Sequence, residues 1–141
     1  MESIIKRLKR LRFFDVIVQS KRDEITQLRS GIARSPQYSS EPKGSPVGNS
    51  NENLNIRIIN RTQEIQMEIE QMYNERDKLV DLINRLDDPV ESMVLRLIYL
   101  NNYSINQVVR QTSLSRRAVF RVRKSGLNNI CHSWHTMALL K

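Results

Sequence analysis

Apolar residues recur every seven positions along two stretches of this chain: Ile4, Leu11, Val18, Ile25 and Ile32 in the first, Ile58, Ile65, Met72, Leu79 and Leu86 in the second. A repeat of seven holds one stripe on one side of a helix, so the spacing predicts long amphipathic helices over residues 1–30 and 54–86. Leu8, Phe14 and Leu28 widen the first stripe, and Leu54, Ile69, Leu82 and Ile83 widen the second. Each face is then too broad to leave in water, and the two helices are expected to pair as a long antiparallel, coiled-coil-like hairpin.

Residues 31–53 between them hold three of the four glycines and three of the four prolines. So polar a stretch buries too little to offset the entropy of ordering it, and it reads as a flexible linker. At ~1.5 Å per residue the second helix would be ~50 Å long. A connection this long exceeds what a hairpin needs, at small entropic cost. The first helix is therefore free to pair within its own chain, with a second copy, or in a four-helix assembly.

After Leu86 the period changes. Asp88 can cap free amides and Pro89 suits a first helical position, so a new helix is expected there, with Val90, Met93, Val94, Leu97 and Ile98 forming its buried stripe. Asn101 and Asn102 mark its end, because asparagine tolerates left-handed backbone. Ser104 can cap a short helix with Ile105, Val108 and Val109 inward, "QTSLS" interrupts it, and Ser115 can cap another helix reaching about Ile130. Residues 88–130 thus read as helix, turn, helix, and residues 131–141 as a tail. On the last helix Ser115, Val119, Val122 and Gly126 share one face, while Arg117, Arg121, Lys124 and Asn128 repeat the same spacings opposite.

Charge sharpens this picture. The 141 residues carry a formal net charge of +8, yet residues 54–100 hold 6 basic and 9 acidic side chains, and residues 101–141 hold 7 basic and none acidic. A surface sorted by sign points to a polyanionic partner at the C-terminal third, nucleic acid before an acidic membrane. The "KRLKRLR" run at residues 6–12 solvates a hydrophobic seam on the plainest reading, with phosphate or membrane contact as alternatives.

One cysteine, Cys131, excludes an internal disulfide, no apolar run is long enough to span a membrane, and the N-terminus lacks the pattern of a signal peptide. A cytoplasmic protein is expected. Cys131, His132 and His135 lack a fourth ligand for structural zinc, so "CHSWH" reads better as a segment packing Trp134, Met137, Leu139 and Leu140 against the body or a partner. The carboxylates Glu64, Glu68, Glu75 and Asp81 read as the solvated side of a helix. With no acid–base pair, phosphate loop or nucleophile set, neither an enzyme nor a cofactor is expected.

Residues 88 to 127, "DPVESMVLRLIYLNNYSINQVVRQTSLSRRAVFRVRKSGL", resemble the helix-turn-helix of sigma factor region 4. The whole layout resembles a family from phages and prophages of Gram-positive bacteria related to the RinA/ArpU-like phage transcriptional regulators. The resemblance implies a regulator of phage gene expression in a bacterial host, with double-stranded DNA as partner and a recognition helix in the major groove. Its base-facing positions fall on Ser115, Arg116, Arg117, Phe120, Arg121 and Lys124, and its buried ones on Val108, Leu114, Val119 and Val122. This chain departs from the motif at Val109, at Asn106 in place of the usual acid, and at Ser113 in place of glycine in the turn.

The reading is an all-α protein in which a helical hairpin sets oligomeric state, a dimer first, or engages a partner, and a helix-turn-helix reads DNA through Ser115, Arg116, Arg117, Phe120, Arg121, Lys124 and Asn128. Two rivals stay open: a small-terminase-like DNA-packaging subunit, and an interaction module acting on RNA polymerase.

Overall fold

The seven-residue stripe of the first segment does not make one helix. A computed structural model describes the backbone of residues 3–34 and 47–139 and the side chains of residues 3–31 and 52–139. Ser3 caps α1, Ile4–Leu11, by accepting from the Ile5 amide at 3.2 Å, and α2 starts afresh at Phe14 and runs to Arg34. This corrects the single helix expected over residues 1–30. The cause lies 90 positions along the chain, where Asn102 Nδ2 donates to the Arg12 carbonyl at 2.7 Å and Arg12 Nε donates to Asn102 Oδ1 at 3.2 Å. That carbonyl is the one a continuous helix would offer to the Val16 amide, and just before it the Arg12 and Phe13 amides close tighter turns onto the Lys9 and Arg10 carbonyls, at 3.3 and 3.0 Å.

Next comes α3, Val47–Asn84, so helical backbone begins at Val47 and not at Leu54. Pro46 is the last proline of the expected linker, and no residue after it bars a helix. Residues 35–46 of that linker lie outside the described residues.

The chain divides into two compact units, one of Met1–Phe14 with Asn74–Lys141 and the other of Asp15–Tyr73. In the second unit α2 and α3 meet along buried Val18, Ile25, Ile58 and Ile65. Lys21 Nζ lies 2.8 Å from Glu68 Oε2 and Arg61 Nη2 lies 3.2 Å from Glu24 Oε1, and Arg22 Nη2 donates to the Tyr73 hydroxyl at 3.3 Å. Later residues of one helix thus face earlier residues of the other. The bond from Lys21 holds the Glu68 carboxyl below its ordinary pKa. Such exposed pairs set register more than stability. Leu54, expected in the stripe, is exposed, because it lies beyond Ile58, the first buried position of α3 among the described side chains.

The first unit builds its core from α1, the end of α3 and three further helices: α4, Pro89–Leu95, which continues as a π-helical turn over Arg96–Leu100; α5, Ile105–Thr112; and α6, Arg116–Leu139. Leu8, Ile83, Leu95, Val108, Val119 and Ile130 are fully enclosed. Asp88 accepts from the Val90 amide at 2.8 Å with Pro89 in the first turn, and the Asn101 amide reaches back to the Arg96 carbonyl at 3.0 Å to close the π turn.

The buried stripe of α4 is turned by one residue from the expected one. Val94 and Ile98 are buried, but Val90 and Met93 are each 38% exposed, and Glu91 and Leu95 point inward. Two features of α6 explain the turn. A Cβ on Gly126 would stand 2.9 Å from Leu95 Cδ1 and 3.4 Å from Glu91 Cβ, so the two helices approach where α6 has no side chain. Ser125 Oγ and Asn129 Nδ2 donate to the two Glu91 carboxylate oxygens at 2.6 and 2.8 Å, which makes burial of that acid tolerable.

The expected tail is also helical, since α6 continues to Leu139. After Gly126 the chain has no glycine or proline, and Arg7 lies over the Trp134 ring at 5.1 Å from its centroid. Trp134 packs on the core, whereas Met137 and Leu139 are exposed; Leu140 lies outside the described residues. Among the described residues there is no strand, and no helix is long and apolar enough to cross a membrane.

Candidate nucleic-acid interface

Three serines set the geometry of α5 and α6. Ser104 opens α5 with a reciprocal capping box: its hydroxyl accepts from the Gln107 amide at 3.3 Å while Gln107 Oε1 accepts from the Ser104 amide at 2.8 Å. Ser113 closes α5 in left-handed backbone at φ 61, a conformation that glycine adopts more readily, and its amide still reaches the Val109 carbonyl at 2.9 Å. Two residues on, the Ser115 hydroxyl accepts from the Ala118 amide at 3.1 Å and starts α6. Left-handed backbone costs an L-residue about 1–2 kcal/mol and glycine almost nothing. Ser113→Gly is accordingly expected to raise stability by about 1 kcal/mol, read as a higher urea midpoint at unchanged slope. A lower midpoint would mean that the serine side chain contributes more than its backbone strain costs.

The orientation of α6 follows from what it buries. Val119, Gly126 and Ile130 face the core and Leu114, Val122 and Leu127 are half-buried, so Arg116, Arg117, Phe120, Arg121, Lys124 and Asn128 are left exposed together with Ser115. Spacing alone puts Ser115 on the face of Val119 and the resemblance puts it on the base-facing side; it is exposed, because a capping residue sits outside the helix it starts. Among the described residues no ion pair engages Arg116, Arg117, Arg121, Arg123 or Lys124; the acids lie on other helices, where Glu24, Glu64, Glu68 and Glu75 pair with Arg61, Lys21 and Arg7.

One edge of the face is preorganised. Arg116 Nη1 donates to Asn106 Oδ1 at 3.1 Å, so an uncharged side chain positions a guanidinium without neutralising it. The Phe120 ring lies between two cations, Arg116 at 5.7 Å and Arg123 at 5.2 Å from its centroid. Arg123 was missed by the sequence reading although the signal was there: it stands three residues after Phe120 and seven after Arg116, on the same helical row. Beneath it Tyr99 is buried; burial raises the phenol's pKa, and nearby Arg123 and Arg12 oppose that rise.

Cys131 is half-buried on α6 and His132 and His135 are exposed. Among the described residues no group of three His, Cys, Asp or Glu side chains is arranged to hold a metal ion.

Fold and surface together define an all-α protein whose last helix presents an acid-free, solvent-facing cationic side. Residues 34–130 match the family described as "Protein of unknown function (DUF1492)", and the chain belongs to that family. Neither the curated proteins nor the solved structures contain a match to it.

Proposed function

We propose that this protein is a phage or prophage transcriptional regulator that binds double-stranded DNA in the host cytoplasm, with α5 and α6 acting as a sigma-region-4-like helix-turn-helix and α6 entering the major groove. The observation that carries the reading is the exposed row Arg117, Arg121, Lys124 and Asn128, left without an acidic partner by the packing of Val119, Gly126 and Ile130. Arginine suits the paired acceptors of guanine, and Ser115 and Arg116 at the helix start suit a phosphate. Phe120 offers an apolar edge for a thymine methyl.

On this reading α2 and α3 form the helical hairpin through which the protein oligomerises or meets a partner such as RNA polymerase. Exposed Val16, Ile56, Ile59 and Met67 on those helices support that role. In a dimer, two α6 helices would address half-sites about one helical turn apart, ~34 Å, or a multiple of that.

The test is selection of genomic fragments by the purified full chain, followed by affinity measurements across a salt series. A preferred site is expected, and about five phosphate contacts would give a log–log salt slope near −4 to −5. Binding without sequence preference and with a flat salt response would reject the proposal. A ring-sized mass in light scattering would move the reading to a packaging subunit, and co-purification with RNA polymerase without a DNA shift would move it to an interaction module.

A further inference from the structure

Early in α6 three side chains form a second row beside the one already described. Phe120 stands four residues after Arg116 and three before Arg123, and both guanidinium carbons lie over its ring, at 5.7 and 5.2 Å from the centroid. One ring thus brings the two cations together, no farther from each other than those two distances laid end to end. Asn106 on α5 holds Arg116 from the side, through the 3.1 Å bond between Nη1 and Oδ1.

Among the described residues no carboxylate pairs with Arg116 or Arg123, and no hydrogen bond engages the Arg123 guanidinium. Like charges held this close repel, and an anion seated against each relieves the repulsion. Contact with the ring offsets only part of it, because a cation–ring contact at an exposed site is weak. A guanidinium fixed in direction, with nitrogens left over, is preorganised for phosphate oxygens.

Position around the helix says which phosphates these are. At ~3.6 residues per turn, Arg116 and Arg123 stand about a third of a turn from the row Arg117, Arg121, Lys124 and Asn128, on the flank next to α5. A helix with its side chains is ~10–12 Å across and the major groove is ~12 Å wide. When one row meets base edges, the flank therefore meets the wall of the groove, and phosphates form that wall.

We propose that Arg116 and Arg123 each hold a backbone phosphate on one wall of the major groove, with Phe120 as the spacer that sets the distance between them. This rests on the DNA-binding reading above and goes past it in two respects. Arg123 gains a ligand, and Phe120 becomes a positioning residue whose ring orients two cations, its rim left for apolar contact with a base.

The experiment compares the full-length protein with Arg116→Ala, Arg123→Ala, Arg123→Gln, Phe120→Leu and the Arg117→Ala/Arg121→Ala double variant. Binding to a selected duplex and to an unrelated duplex is titrated from low to moderate salt, with thermal melts alongside. Arg116→Ala and Arg123→Ala should each lower the salt slope by about 0.9, the value for one phosphate contact, and weaken both duplexes by the same factor. Arg123→Gln keeps much of the stem and should match Arg123→Ala in slope; it decides should the alanine variant melt at the assay temperature. Phe120→Leu keeps both charges and an apolar side chain but removes the ring. Its slope should stay, while both duplexes bind about 5-fold or more weakly, because two guanidiniums must then be ordered on binding.

An unchanged slope in the folded Arg123 variants, alongside lost selectivity in the double variant, overturns this inference and leaves the groove reading standing. A changed ratio of selected to unrelated duplex in Arg123→Ala also overturns it, since Arg123 would then read a base. Lost preference in Phe120→Leu, with the unrelated duplex bound as before, makes the ring a base contact and overturns its role as spacer. No binding of any duplex by the unaltered protein rejects both the inference and the reading beneath it.

Discussion

Arg117→Ala combined with Arg121→Ala is expected to erase sequence preference while leaving the protein folded. The two residues are one helical turn apart on the exposed side of α6, and neither is engaged by a hydrogen bond, ion pair or ring among the described residues. Truncating them removes nothing from the core, so the change in stability should stay within about 0.5 kcal/mol. The effect on recognition should be far larger. One bidentate arginine–guanine pair discriminates by about 1–3 kcal/mol, so the two together supply about 2–6 kcal/mol, which is roughly 30-fold to more than 10,000-fold in the ratio of selected to unrelated duplex. Weak, salt-sensitive binding should persist through Arg116, Lys124 and the remaining cations. Competition titrations with two duplexes of equal length measure the ratio directly. A double variant that selects as well as the unaltered protein would remove α6 from the reading role.

The second large effect is on stability. Glu91→Ala should destabilise the first unit by about 3–6 kcal/mol, because hydrogen bonds to a charged acceptor contribute roughly 1.5–3 kcal/mol each and two are lost. Glu91 is 6% exposed and accepts from both Ser125 and Asn129, one turn apart on α6. Its removal takes the acceptor from both donors and opens a gap beside enclosed Leu95. Glu91→Gln should cost less than the alanine change, since an amide of the same shape still accepts from one partner and can donate to the Ser125 hydroxyl. Urea melts of the three proteins order the predictions. Equal midpoints for the alanine and glutamine variants would show that the charge, and not the geometry of the contact, is what matters; an unchanged alanine variant would show that the contact contributes nothing.

What was legible in the amino-acid sequence was whatever depends on neighbours a few positions apart. The caps at Asp88, Ser104 and Ser115 join a side chain to an amide two or three residues on, so the local pattern suffices. The outward placing of Arg117, Arg121, Lys124 and Asn128 follows equally from helical spacing against Val119 and Gly126. Where a distant residue decides, spacing fails. The break at Arg12 is made by Asn102, and the rotation of α4 is made by Ser125, Gly126 and Asn129, none of which the periodicity of the affected helix reveals. Glu91 misleads for a further reason: a carboxylate inside a helical pattern is ordinarily a marker of solvent, and only its two donors reverse that. Helix ends were misjudged where composition stood in for geometry, at Val47 after the last linker proline and at residues 131–139 beyond Ile130.

A single hydrogen atom, the one Gly126 carries in place of a side chain, lets α4 lie close enough to fix the roll of α6 about its own axis. Any methyl there would act as a wedge, and every guanidinium farther along that cylinder would swing with it. The aim of the cationic row is thus governed by an omission on the opposite flank, so binding could be spoiled by a change that touches no charge at all.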